Sequence, residues 1–94
     1  MGEAHQPRAS QVYLLECFWP GVSEEAIAAA ARRARRAARE LAACGRAVRY
    51  LGSQLVPGDE VVFFEVEADS EEAACELGRE AGIPFERAVG SVRV

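Results

Sequence analysis

The chain has 94 residues, half of them hydrophobic and 28% charged, so its length predicts a single domain with one small core. No segment approaches the roughly 18 consecutive apolar residues of a membrane span. The first ten residues, MGEAHQPRAS, lack the apolar centre of a signal peptide. The sequence therefore predicts a cytoplasmic protein without membrane association, with a flexible tail over residues 1–10 and a folded domain over residues 11–94.

The net charge of −4 is unevenly distributed along the chain. Residues 1–50 contain eight arginines and five acidic residues, whereas residues 51–94 contain three arginines and ten acidic residues. Five of the arginines fall on one predicted helix, where they could meet phosphates. Binding to nucleic acid nevertheless requires a net basic surface, and this chain is acidic overall. We therefore predict no nucleic-acid partner.

The first half of the folded region predicts one strand and one long helix. Gln11–Trp19 is apolar on both alternations, a pattern typical of a central strand with both faces at least partly covered. Ser23 is a good N-cap for an alanine-rich helix that runs from Glu24 to about Ala43. Gly45 follows as the residue that ends this helix.

The most apolar part of the chain predicts a hairpin of two strands, Ala47–Val56 and Val61–Ala68. They are joined by Pro57-Gly58-Asp59-Glu60, in which the proline and the following glycine are typical of a type II turn.

The last quarter of the chain predicts a second helix and a final strand. The helix covers about residues 70–81, is capped by Asp69 or Ser70, and is ended by Gly82. The strand covers about residues 85–94. The complete order is strand, helix, strand, strand, helix, strand, which is the ferredoxin-like βαββαβ order of an α+β domain. In this fold a four-stranded antiparallel sheet has its first and third strands in the middle and carries both helices on one face.

Two helices cover only one face of such a sheet, and the strand alternation predicts which residues the other face displays. This open face is too apolar to be simply hydrated, and a patch of this kind indicates an interface or a groove. We expect a homodimer formed through the two open faces, with space between them for a small molecule. The predicted open-face residues of the first and third strands are Val12, Leu14, Glu16, Phe18, Val61, Phe63, Glu65 and Glu67.

The open face also supplies the candidate ligand-binding residues. Aromatic side chains would form apolar walls and glutamates would make the polar contacts. The three glutamates are open to two interpretations: a cluster that binds a cation or acts as a general base, or charges at the rim of a dimer interface. The candidate residues are Glu16, Phe18, Tyr50, Phe63, Glu65 and Glu67.

Signatures of other chemistry are weak. His5 is the only histidine and lies in the predicted tail, so catalysis by a Ser-His-Asp or Cys-His arrangement is not favoured. Cys17, Cys44 and Cys75 lack the spacing of metal ligands and are odd in number, which predicts reduced thiols. The sequence predicts no cofactor and no metal site, and it identifies no catalytic residue.

Three segments carry a resemblance to a known family: YLLECFWPGVSEE, RYLGSQLVPGDEVVFFEVEA and AGIPFERAVGSV. They resemble a small bacterial family of uncharacterised proteins that is similar to the nickel-binding ferredoxin-like proteins. The resemblance implies a homodimer built as a dimeric α+β barrel. The nickel-binding members use histidines in their strands, and this chain has none there, so their metal site does not carry over. Related barrels bind small organic molecules or act as cofactor-free enzymes. The expected function is therefore binding of a small molecule on the open sheet face, and the alternatives are a cofactor-free enzyme that uses a buried glutamate as general base and a metal-binding protein of the nickel-binding type.

Overall fold

The structure is a computed structural model that describes residues 10–92 and residue 94. The predicted tail over residues 1–10 thus lies, apart from Ser10, outside the described residues. The elements are β1 (Gln11–Phe18), α1 (Glu24–Ala43), β2 (Val48–Val56), a 3-10 turn (Pro57–Asp59), β3 (Val61–Ala68), α2 (Glu71–Glu80) and β4 (Arg87–Ser91).

The four strands form one antiparallel sheet in the order β2-β3-β1-β4, which confirms the ferredoxin-like α+β fold. The apolar strands β1 and β3 occupy the centre, as their composition predicts. Alternate residues of both strands are buried under the helices, among them the fully buried Leu15, Phe64 and Val66. The core therefore lies between the helices and one face of the sheet, and the described residues leave the other face uncovered.

Local capping fixes both ends of α1. The Ser23 hydroxyl accepts a hydrogen bond from the Ala26 amide at 3.0 Å. At the other end Gly45 has a φ of +92°. Its amide donates to the Ala42 carbonyl at 3.0 Å, and the next amide, of Arg46, donates to the Leu41 carbonyl at 2.9 Å. These bonds form a Schellman motif, which favours glycine at the left-handed position.

A hydroxyl cap also fixes the start of α2, and one long-range contact joins its end to α1. Ser70, rather than Asp69, is the N-cap, since its hydroxyl accepts from the Ala73 amide at 3.1 Å. The guanidinium of Arg33 on α1 donates through Nε to the Ala81 carbonyl at 2.7 Å. This bond satisfies a carbonyl that the end of α2 would leave without a partner, and its cation suits the negative end of the helix dipole.

The β2–β3 connection differs from the predicted type II turn. Pro57–Asp59 form a 3-10 turn, and the left-handed residue is Glu60, with a φ of 55°, rather than Gly58. The Glu60 amide donates to the Pro57 carbonyl at 3.2 Å. Four residues separate the paired ends Val56 and Val61. A helical turn followed by one left-handed residue closes a loop of this length with the strand twist retained.

We expect Gly78→Ala to destabilise the fold by about 1 to 2 kcal/mol, because overpacking outweighs the gain in helix propensity. A Cβ at Gly78 would lie 2.6 Å from Phe85 Cε1 and 2.8 Å from Cδ1 of the fully buried Leu15. Gly58→Ala is the matched control, since no atom lies within 4 Å of its Cβ position. Urea denaturation should show that Gly58→Ala leaves the free energy of unfolding unchanged or raises it. An equal decrease in both variants would contradict the close packing around Gly78.

Candidate functional site

The open face carries the eight residues of β1 and β3 that the alternation predicts. At its centre Leu14 lies directly opposite Glu65, and Glu16 lies directly opposite Phe63. Directly opposed residues have Cβ atoms about 4.5 to 5.5 Å apart, so these four side chains form one contiguous group. The centre of the face is thus an alternating square of two apolar side chains and two carboxylates.

Two of the three candidate carboxylates are held by arginines from the outer strands. Arg87 on β4 bonds through Nε to Glu16, and Arg49 on β2 bonds through Nη1 to Glu67 at 3.0 Å. Both arginines are largely exposed, so each pair contributes only about 0–1 kcal/mol. The main consequence of these pairs is for ligand binding, because carboxylate oxygens of Glu16 and Glu67 already have cationic partners.

Glu65 differs from the other two candidate glutamates because no arginine of the described residues pairs with it. Within residues 10–92 its side chain has no hydrogen-bond or ion-pair partner. Its neighbour on β1 is Leu14 and its neighbour on β2 is Gly52, which has no side chain to occupy the face. No atom lies within 4 Å of the position that a Cβ on Gly52 would take. Among the described residues, Glu65 is therefore a carboxylate without a partner, beside a gap in the surface.

The placement of Tyr50 on the open face is wrong. Tyr50 pairs with the buried Val66 and packs against the core on the helix side. The cause is a bulge between Tyr50 and Gly52, which inserts one residue into β2 and reverses its alternation. Gln54, which has the same parity as Tyr50, consequently lies opposite Phe63 on the open face. A glycine within a strand is the sequence signal for such a bulge.

The other five candidate residues share the open face, although Phe18 lies at its end. Phe18 pairs with Val61 and is 57% exposed, the most exposed aromatic side chain of the described residues. Its amide donates to Oε1 of Glu86 at 2.8 Å. Phe18 therefore extends the apolar surface away from the central square rather than forming a wall around Glu65.

The three glutamates do not gather into a cation site. Glu67, Glu65 and Glu16 lie opposite Val12, Leu14 and Phe63, in three successive rows of the sheet. Among the residues that the structure describes, no group of three His, Cys, Asp or Glu side chains lies close enough to hold a metal ion.

The three thiols are free and differ in environment. Cys17 is fully buried, and that burial, reinforced by Glu86 and Glu16, raises its pKa to about 12. Burial and the nearby Glu71 raise the pKa of Cys75 as well. Cys44 is exposed at the end of α1. Because the thiolate is the nucleophile, the buried Cys17 is an inert core side chain.

The pKa of Cys17 predicts that stability falls in alkali. Above pH 9 the unfolded chain releases the thiol proton while the folded protein retains it up to about pH 12. The unfolded state is thereby favoured, and the free energy of unfolding should fall by about 1.4 kcal/mol per pH unit. Urea titrations from about pH 8 to about pH 10.5 should show a steeper fall in the native protein than in Cys17→Ala, which retains only the part due to the raised pKa of Cys75. Equal slopes in the two proteins would contradict it.

Sequence reasoning missed a cleft on the helix side, between α1 and β2. It has a volume of about 280 Å³ and is lined by Arg35, Ala38, Arg39, Ala42, Val48, Arg49 and Tyr50. The spacing of Arg35 and Arg39, one helical turn apart, was available in the sequence. Their meeting with Tyr50 depends on the bulge, which the alternation alone does not reveal.

Comparison with known proteins adds no relative: a scan against protein-family models and searches of curated proteins and of solved structures found no match. None of the helices in the described part of the chain is long and apolar enough to cross a membrane. The chain is thus a ferredoxin-like α+β domain in which one half-apolar face of the sheet is left uncovered by the described residues.

Proposed function

We propose that this protein is a homodimeric binding protein that holds a small molecule between two open sheet faces. The observation that carries the proposal is Glu65, a carboxylate without a partner among the described residues, set between Leu14 and Phe63 and beside the gap at Gly52.

The charges of the open face support pairing with a second copy. One side of the face carries the Arg49–Glu67 pair and the other side carries the Glu16–Arg87 pair. Each side of the face thus carries one positive and one negative group. A second copy related by a two-fold axis would therefore bring an arginine and a glutamate to each side. Symmetric interfaces require this self-complementarity. Burial of Leu14 and Phe63 would also add to the limited core of a small domain.

In a dimer packed through the open faces, Glu65 would be buried and would need a hydrogen-bonding or charged partner. A carboxylate removed from water without a hydrogen-bonding or charged partner is strongly unfavourable. A ligand with a cationic or hydrogen-bond-donating group would satisfy Glu65, and its apolar part would contact Leu14 and Phe63. Gly52 provides the space for that ligand. The proposed ligand class is thus a small amphipathic amine or a similar donor.

A free carboxylate is also what a cofactor-free enzyme would use as a general base, and this is the second candidate function. Glu65 is the residue for that role, since arginines hold Glu16 and Glu67. The two functions differ in outcome, because an enzyme would convert its ligand and a binding protein would return it unchanged.

An NMR titration with 2-phenylethylamine tests the binding proposal, and 2-phenylethanol serves as the neutral comparison. We expect saturable shifts of β1 and β3 amides with the amine and weaker binding of the alcohol. Glu65→Gln should weaken amine binding about tenfold, the effect of one charge-assisted hydrogen bond. Glu72→Gln removes the same charge from an exposed position on α2 and should leave the affinity unchanged.

Two results would contradict the proposal. Equal effects of Glu65→Gln and Glu72→Gln would mean that binding reflects overall charge. A dimer that shows no shift with either probe and becomes more stable in Glu65→Gln would mean that the partner chain fills the face completely.

A further inference from the structure

The α1–β2 cleft, lined by the seven residues given above, lies on the helix side of the sheet and is separate from the open face. Its floor consists of the small apolar side chains Ala38, Ala42 and Val48. Its volume of about 280 Å³ is just below the range of about 300 to 1,000 Å³ for small-molecule pockets. The space therefore suits a compact ligand.

The cleft concentrates positive charge in an acidic protein. Arg35, Arg39 and Arg49 line it, and no carboxylate is among the lining residues. The Arg49 guanidinium pairs with Glu67 toward the open face, whereas Arg35 and Arg39 have no ion-pair partner within residues 10–92. The guanidinium groups of Arg35 and Arg39 therefore leave a charge of +2 at the cleft. Like charges one helical turn apart, as in Arg35 and Arg39, are unfavourable unless an anion lies between them.

One of these arginines is held in position by the strand beneath it. The Arg35 guanidinium lies 5.4 Å from the centroid of the Tyr50 ring, a cation–π arrangement. The Tyr50 hydroxyl donates to the Ser53 hydroxyl at 2.9 Å, which fixes the ring. Arg35 is thus oriented before any ligand arrives, and pre-organisation of this kind reduces the entropy lost on binding.

We propose that the α1–β2 cleft binds the phosphate group of a small phosphorylated metabolite. A phosphate monoester is close to a dianion at neutral pH and balances the charge of +2. Guanidinium groups donate two parallel hydrogen bonds to phosphate oxygens, which Arg35 and Arg39 can each supply. The organic part of the metabolite would lie on the apolar floor. This site is independent of the proposed ligand at Glu65.

An NMR titration with phenyl phosphate tests the site, at constant ionic strength maintained with chloride. We expect saturable shifts of the Nε–Hε signals of Arg35 and Arg39, and weaker binding of inorganic phosphate and of benzoate. Arg39→Gln should weaken phenyl phosphate binding about tenfold. Arg32→Gln removes the same charge from the same exposed side of α1, outside the cleft, and should change the affinity by less than about twofold.

Each alternative result would overturn the proposal. If Arg39→Gln and Arg32→Gln weaken phenyl phosphate binding equally, the anion is attracted to the charge of the helix as a whole and not to the cleft. Inorganic phosphate binding as tightly as phenyl phosphate would show that the apolar floor contributes nothing. Shifts that do not saturate would show that no site exists.

Discussion

Phe64→Ala should lower the free energy of unfolding by about 3 to 5 kcal/mol, the usual cost of truncating a buried phenylalanine. Phe64 is the largest completely buried side chain among the described residues, and it lies on the central strand β3. The truncation leaves a cavity in the core, which the neighbouring side chains can fill only in part. A domain of this size has a total stability of about 5 to 10 kcal/mol, so the variant should be close to unfolding.

Phe63→Ala is the matched control, because the neighbouring residue points to the open face. Its effect should depend on protein concentration, since dimerisation stabilises a folded chain by mass action. Urea unfolding over an approximately hundredfold range of concentration separates the two losses. The loss in Phe64→Ala should remain constant, whereas the loss in Phe63→Ala should shrink on dilution. If the loss in free energy of unfolding depends on protein concentration in both variants, or in neither, Phe64 does not belong to the core and Phe63 to the dimer interface as stated.

Leu14→Glu should convert the proposed dimer into a monomer. Leu14 lies opposite Glu65 at the centre of the open face, so the new carboxylate would face a like charge. Burial of an uncompensated charge costs about 3 to 5 kcal/mol, which corresponds to a rise in the dissociation constant of more than about a hundredfold. A symmetric interface contains the change twice. Sedimentation equilibrium measures the result directly.

The control for Leu14→Glu places the same charge elsewhere. Ala28 lies on the exposed side of α1, where glutamate is a good helix former, so Ala28→Glu should remain a dimer. A dimer that persists in Leu14→Glu would place the contact between subunits on another surface. Loss of the dimer in both variants would attribute the effect to net charge.

The predictable parts of this fold were those that neighbouring residues determine. Ser23 and Gly45 mark the ends of α1 because a hydroxyl cap and a left-handed glycine act within one helical turn. The alternation of β1 and β3 identifies the open face because both strands are regular and one face is buried.

The errors and omissions arose where distant segments decide the outcome. The bulge beside Gly52 moved Tyr50 to the helix side, and no alternation rule includes an inserted residue. The distinction of Glu65 from the other two glutamates depends on the strand register, which sets Arg87 opposite Glu16 and Arg49 opposite Glu67. Strand pairing of this kind cannot be read from a single segment of the sequence.

Native mass spectrometry of the full chain as purified tests the central claim, that two sheet faces pair around a ligand, most directly. We expect a dimer that carries additional mass, with that mass released when the same sample is denatured. The released mass would also show whether the ligand is an amine. A spectrum of bare monomer at micromolar concentration would contradict the account, because the open face would then be exposed to water without a partner.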